Sequence, residues 1–313
     1  MSTNIVALQK PNEVIISNGI TEDLYHRFIA YLDASPKTVQ TYERNLRQFF
    51  KYLYYNGITK PRREDILAYR NELLEDKKPA TVQNYITVVR IFFTWTEQEG
   101  LYPNIAEHIK GAKISKNHKK DNLTIDQVRS ILKDIDKEDI QGKRDYAILS
   151  LLFTTALRTI EVSRAKIEDL GTVGTTLVLY IQGKGRNERT EYVKLQTPVE
   201  QAIREYLKER PEAEATEALF TSLSNNSKGK HLSTRSISGI VKNSFKDAGY
   251  NSDRLTAHST RHTAITIALQ QGNTVQEVQQ FARHSNINTT MIYAHNLERA
   301  NNKCEESISN AIF

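Results

Sequence analysis

The feature that most restricts the fold is a short duplication. Pro36-Lys37-Thr38-Val39-Gln40-Thr41-Tyr42 is matched by Pro79-Ala80-Thr81-Val82-Gln83-Asn84-Tyr85. The register continues, with Phe49-Phe50 aligned to Phe92-Phe93, Tyr52 to Trp95 and Gly57 to Gly100. Proline suits the first turn of a helix, where no backbone N–H is needed; glycine suits the residue just past its end, where φ is often positive. Two similar long helices are therefore predicted, each opened by proline and ended by glycine. Arg62 to Leu74 supplies a helix between them, and Leu24, Phe28, Tyr31 and Leu32 recur at helical spacing ahead of them. Two copies are too few for a solenoid, so the duplication points to one compact bundle. This helical domain spans 20–109, behind an arm over 1–19 that has no sustained period.

A basic stretch follows. Residues 110–120 read KGAKISKNHKK, with Lys110, Lys113, Lys116 and Lys119 recurring every three residues and no acid among them. Charge runs of this kind are usually solvated linkers. The segment 110–121 is taken as an interdomain linker, and given the chemistry below, as a strap along a phosphate backbone. Thr124 then caps a helix carrying Val128, Ile131 and Leu132, and Tyr146 to Thr155 is almost continuously apolar. A single β signal comes next. Thr176 to Ile181 and Tyr192 to Leu195 are strand-like, joined through Gly183-Lys184-Gly185-Arg186-Asn187. Helical patterns return at Pro198 to Lys208, Ser233 to Ala248 and from Arg261 onward. The expected fold is mainly α with a small antiparallel β-insert, the second domain covering 122–313.

Bulk properties exclude more than they assert. A length of 313 residues suits two domains. Against 37 acidic residues stand 43 basic ones, a net charge of +6 that tilts toward an anionic partner. The one cysteine, Cys304, allows neither a disulfide framework nor a thiolate metal cage. No apolar run is long enough to cross a bilayer, and MSTNIVALQK has no secretory pattern. A cytoplasmic, nucleoid-associated protein without a membrane partner is expected.

Six side chains carry the functional argument. Arg158 ends the apolar helix in Thr155-Ala156-Leu157-Arg158. Lys184 sits at the tip of the β-turn. His258 and Arg261 lie in His258-Ser259-Thr260-Arg261, and His284 in Ala282-Arg283-His284. Tyr293 follows nine residues later. In this order the set resembles the tyrosine recombinase (phage integrase) family, close in layout to the bacterial Xer recombinases. The similarity runs from about residue 20 to the C-terminus and is most specific between Arg261 and Tyr293. Family glycines are replaced by Ala156 and Arg283, and a common leucine by Thr260. Ala156 is expected to alter the turn that aims Arg158, and Arg283 to add a phosphate contact.

The resemblance implies a SAM-like core-binding domain before a DNA breaking-rejoining domain, and a reaction through a 3′-phosphotyrosyl intermediate and a Holliday junction. The residue types fit that reaction. Two guanidiniums, Arg158 and Arg261, present forked donors to phosphate oxygens and stay charged at working pH. His258 and His284 can hydrogen-bond the same group, and His258 is the candidate acceptor of the Tyr293 proton. Lys184, as the resemblance implies, returns a proton to the leaving 5′ oxygen. Singly, each residue has an ordinary reading: Arg158 as a cap or ion-pair partner of Glu161, Lys184 as a soluble turn residue with Arg186 beside it. Glu161 is expected to orient Arg158. His258, His262 and His284 could suggest a metal, but Ser259 stands where His-Glu-x-x-His needs glutamate, and Arg261 lies between the first two. No metal and no cofactor are expected; there is no phosphate-binding Gly-x-x-x-x-Gly-Lys loop.

The remaining expectations concern partners. Leu297, Ala300, Cys304, Ile308 and Ala311-Ile312 form an apolar stripe. Such a stripe either folds back on its own domain or, as the resemblance implies, is an exchange helix docking on a neighbour, which closes four protomers into a ring on DNA from monomers in solution. The DNA is expected to be a duplex with an inverted-repeat core site, clamped by the two domains, with an accessory or partner recombinase possible in addition. Lys37, Gln40, Arg44, Gln83 and Arg235 are the candidates for base-edge contacts, and Arg186 and Arg283 for further contacts to DNA. The lack of a long extra N-terminal domain points to a Xer-like system or a short-site mobile element. Two other classes compete: a DNA-binding regulator that kept the fold without the chemistry, and a topoisomerase-like enzyme that relaxes DNA without exchanging partners.

Overall fold

The computed structural model describes residues 22–113, 122–182, 189, 191–301 and 304–313. The arm 1–19, Lys116, Lys119, Lys184 and Arg186 lie outside the described residues. The chain divides into two compact units near residue 117.

The first unit contains α1 (Glu22–Tyr31), α2 (Pro36–Tyr55), α3 (Arg63–Asp76) and α4 (Pro79–Gln98). The duplication is α2 and α4, 20 residues each. Ser35 caps α2 by accepting from the Thr38 N–H, and Gly57 and Gly100 take positive φ of 63° and 67° after the two helices. Phe92 lies at the centre, its ring 5.2 Å from Phe28 and 5.4 Å from Phe50, both edge-on. Trp95 and Tyr69 close the same core. Tyr31, on the predicted apolar stripe, is half exposed and meets the Trp95 ring from outside.

The second unit holds α5 (Ile125–Asp134), α6 (Ile140–Thr155), α7 (Thr159–Arg164), β1 (Leu170–Val173), β2 (Thr176–Ile181), β3 (Glu191–Lys194), α8 (Thr197–Lys208), α9 (Thr234–Asp247), α10 (Ala257–Gln270), α11 (Val275–Ala282), α12 (Asn288–Asn301) and α13 (Cys304–Ile312). Every residue of α6 from Ala147 to Phe153 is buried, as a run apolar except for Ser150 demands. It packs against α8 and α10. The β-insert has a third strand that the sequence pattern did not reveal. The antiparallel order is β1-β2-β3, with Leu170 opposite Leu179 and Val178 opposite Lys194. Among the described residues no helix is long and apolar enough to cross a membrane.

Candidate active site

Two helix ends and two helix faces build the site. α6 ends at Ala156 and α11 at Arg283, both in the left-handed region (φ 51° and 54°). Apart from His108 they are the only described non-glycine residues with positive φ. An L-residue there costs about 1–2 kcal/mol, so something must hold these turns. The final carbonyls of a helix lack partners within it and carry partial negative charge, which favours a cation. Arg261, on α10, supplies one. Its Nη1 donates to the Ala156 carbonyl and its Nη2 to the Ala282 carbonyl, tying the ends of α6 and α11 together. Arg261 is only 2 % exposed. Burial, then the like charges of Arg158 and Arg283, push its pKa down to about 10, so it remains cationic at neutral pH.

Arg158 occupies the cap position before α7. Its backbone N–H donates to Glu161 Oε2 at 2.7 Å, and its Nη1 donates to Glu161 Oε1 at 3.0 Å. The carboxylate is 1 % exposed, whereas the Arg158 side chain keeps about a third of its surface open. That guanidinium lines a cleft of about 590 Å³ together with Lys242, Thr256 and His258. On another side, Tyr192, Gln279, Arg283 and His284 line a cleft of about 620 Å³.

His258, Arg261 and His262 share the first turns of α10, His258 exposed and the other two buried. The rings of His258 and His262 meet edge-on at 4.8 Å, and His262 lies 5.1 Å from the Tyr293 ring. Tyr293 is 8 % exposed and joins Ala156, Ala264, Ile265, Val278 and Ala282 in a small separate core. Burial raises its phenol to about 12, and the Arg261 charge pulls the other way. His284 bonds Thr290 Oγ1 through Nδ1 at 2.8 Å, and its backbone carbonyl accepts from Gln279. Burial, then the charges of Arg261, Arg158, Arg283 and His258, push its pKa down to about 4. His284 is therefore neutral at pH 7 and carries one ring N–H. If Thr290 donates to Nδ1, that N–H is on Nε2, free to face an incoming oxygen.

Five of the six expected residues thus lie within electrostatic reach of one another, Arg158 and His258 on one cleft, His284 on the other, and Arg261 and Tyr293 buried; Lys184 is the one outside the described residues. His262, whose spacing of four from His258 was weighed in the sequence only for a metal, is buried, with its ring against both His258 and Tyr293. Sequence reasoning missed Thr290, whose signal is a position one turn before Tyr293. Arg283 sits differently from an exposed phosphate contact. Its side chain is 9 % exposed and donates to the carbonyls of Phe281, Thr155 and Ala156 and to Glu161. Lys37, Gln40 and Arg44 are exposed along one face of α2, as are Lys110, Lys113 and Arg235 elsewhere. Gln83 is half buried and lies over Gly111, where a Cβ would fall 1.7 Å from its Oε1. Among the described residues no three His, Cys, Asp or Glu side chains are grouped to hold a metal ion.

Two family descriptions match the sequence: the phage integrase family over residues 121–299, and the phage integrase N-terminal SAM-like domain over 24–100. A tyrosine recombinase of Synechococcus elongatus is 28% identical over 289 residues, covering 88% of this chain and 89% of its own. The XerD tyrosine recombinase of Listeria monocytogenes is 29% identical over 285 residues, covering 89% and 94%. Among solved structures, the XerH recombinase in a post-cleavage complex with palindromic difH substrate shares the fold with a TM-score of 0.68, at 24% identity over 86% of this chain and 80% of that one. A lambda integrase dimer on a COC′ core site gives 0.66, at 16% identity over 87% and 93%.

Proposed function

The chain belongs to the phage integrase family and is a tyrosine-type site-specific DNA recombinase, and from that premise we propose that Tyr293 cleaves DNA by bonding to the 3′ side of a phosphate held between Arg158 and Arg261. The observation that carries this assignment is geometric. Tyr293 packs in one small core with Ala156 and Ala282, the two residues whose carbonyls Arg261 binds, and its ring lies 5.1 Å from that of His262.

Tyr293 Oη attacks phosphorus and the 5′ oxygen leaves. The phenol proton passes toward His258, by way of the His262 ring that lies between them. Arg158, Arg261 and the neutral His284 donate to the nonbridging oxygens, where charge grows in the transition state. Lys184 protonates the leaving 5′ oxygen, and Glu161 orients Arg158. A second 5′ hydroxyl then attacks the phosphotyrosine and regenerates both the phosphodiester and the phenol. The covalent intermediate retains the bond energy, so the cycle needs no nucleotide. Because Tyr293 is buried, α12 shifts to bring the phenol to a duplex.

The substrate is a duplex with an inverted-repeat core site, gripped through Lys37, Gln40, Arg44, Gln83 and Arg235, with the linker lysines on phosphates. No residue of α13 is buried, and Ile308 and Ile312 are 58 % and 67 % exposed. That helix docks on the next protomer and closes a ring of four on two sites, passing through a Holliday junction. The protein works at the nucleoid in the cytoplasm, with an accessory or partner recombinase as a further component. The test is a suicide substrate nicked beside the cleavage position. Wild type traps a covalent adduct and Tyr293→Phe traps none; equal behaviour of the two sinks the assignment.

A further inference from the structure

The strongest feature outside that reaction scheme is Arg283. Where the resembled family commonly has glycine, this chain places an arginine in the left-handed conformation and turns its guanidinium inward. Nη1 donates to the Phe281 carbonyl at 3.0 Å and the Thr155 carbonyl at 3.4 Å. Nη2 donates to the Ala156 carbonyl at 3.3 Å and to Glu161 Oε2 at 3.2 Å. The second replaced glycine, Ala156, is therefore one of its acceptors. The two departures are in direct contact.

We propose that Arg283 is a positioning residue that holds the Ala156–Glu161 turn and supplies Glu161 with a permanent counter-charge, leaving Arg158 available to the phosphate. The argument is one of charge and geometry. Glu161 is a carboxylate with almost no access to water, and a buried carboxylate needs a cation. Two guanidiniums reach it: Arg158 on Oε1 and Arg283 on Oε2. Arg158 faces the cleft, so an arriving phosphate competes with Glu161 for its donors. Arg283 is held more firmly: its side chain is only 9 % exposed and its fork is already taken up by three carbonyls and Glu161, although its edge borders the Tyr192–His284 cleft. With Arg283 in place, Glu161 stays neutralised while Arg158 turns part of its fork to DNA. Without it, Glu161 draws Arg158 back, and the Ala156 turn loses a donor that offsets its unfavourable backbone angles.

This rests on the assignment of Arg158 to the scissile phosphate, and the experiment separates the two. Single-turnover cleavage of a nicked suicide substrate is measured with saturating full-length protein, alongside the DNA Kd at several salt concentrations. Arg283→Gly is expected to slow cleavage of bound DNA by at least about tenfold, as loss of orientation does, with Kd changed less than threefold. Arg283→Lys, which keeps the charge but not the fork, is expected to recover part of that rate. In a Glu161→Gln background, Arg283→Gly is expected to cost little more, because the two act through one contact. A normal cleavage rate with weakened binding and a salt slope shallower by about one phosphate contact would instead make Arg283 a DNA ligand and overturn the proposal. Additive losses in the double variant overturn it as well. If Arg283→Gly does not fold, Arg283→Lys is judged by the same rate and Kd criteria. Failure of wild type to form an adduct, or adduct formation by Tyr293→Phe, removes the reaction assignment itself.

Discussion

Around Phe92 the first unit is packed ring against ring, with Phe28, Phe50, Phe93 and Trp95 within about 6 Å. Around Ala156 the second unit has an apolar cluster of only six buried residues, three of them alanine, and is bound by arginines donating to the ends of α6 and α11. The first region gains its stability from apolar area, which tolerates small shifts. The second depends on directed bonds between a few charges and a few carbonyls. It accepts two left-handed residues and a buried carboxylate in order to fix where Arg158 and His284 point. Charge and strain gather in the region to which we assign the phosphate.

The contrast can be broken at either end. Phe92→Ala should cost about 3–5 kcal/mol of stability in the first unit, read by denaturant unfolding through Trp95, the only tryptophan, which sits in that core. Cleavage by the folded fraction should be unchanged; a selective loss of cleavage would mean the aromatic core also shapes the site. Thr290→Val should lower single-turnover cleavage about tenfold, the usual scale for losing one directed hydrogen bond, while Thr290→Ser keeps the rate. Equal rates for both would remove the tautomer argument for His284.

Much of this contrast was legible before any coordinates. The duplicated Pro-to-Gly pattern gives α2 and α4 because long amphipathic helices repeat their signal over five turns. The ordered set Arg158, His258, Arg261, His284 and Tyr293 could be picked out because its order resembles that of a known family; singly, each residue type has an ordinary reading. Strand β1 was not: it is four residues long and contains Gly171, which reads as a break. The glycine is there because the Tyr180 ring lies across it, a Cβ meeting that ring at 3.0 Å. Nor could the inward turn of Arg283 be read, since it follows from a positive φ at the end of α11 and from acceptors more than 120 residues away in sequence. Contacts fixed at helix ends leave no periodic trace.

Two smaller effects sharpen the comparison. Ala156→Gly should raise the stability of the second unit by up to about 1 kcal/mol, as relief of a left-handed L-residue predicts; destabilisation would show that the methyl group's packing matters more than the backbone angle. The last effect is one of pH. The folded pKa of His284, about 4, lies below the value near 6.5 of an unfolded chain. The unfolded state therefore takes up this proton first, so stability declines as pH falls from about 6.5 toward 4 and is indifferent to this group above that window. His284→Gln should flatten the decline in a pH series of thermal melts, and an unchanged slope would assign the decline to other groups.

On the proposed assignment, the burial of Tyr293 has a further consequence. A nucleophile kept under cover would let the protein scan, pause on and leave countless wrong sequences without scarring them. Breakage would wait on uncovering that phenol, not on how many copies of the enzyme are present.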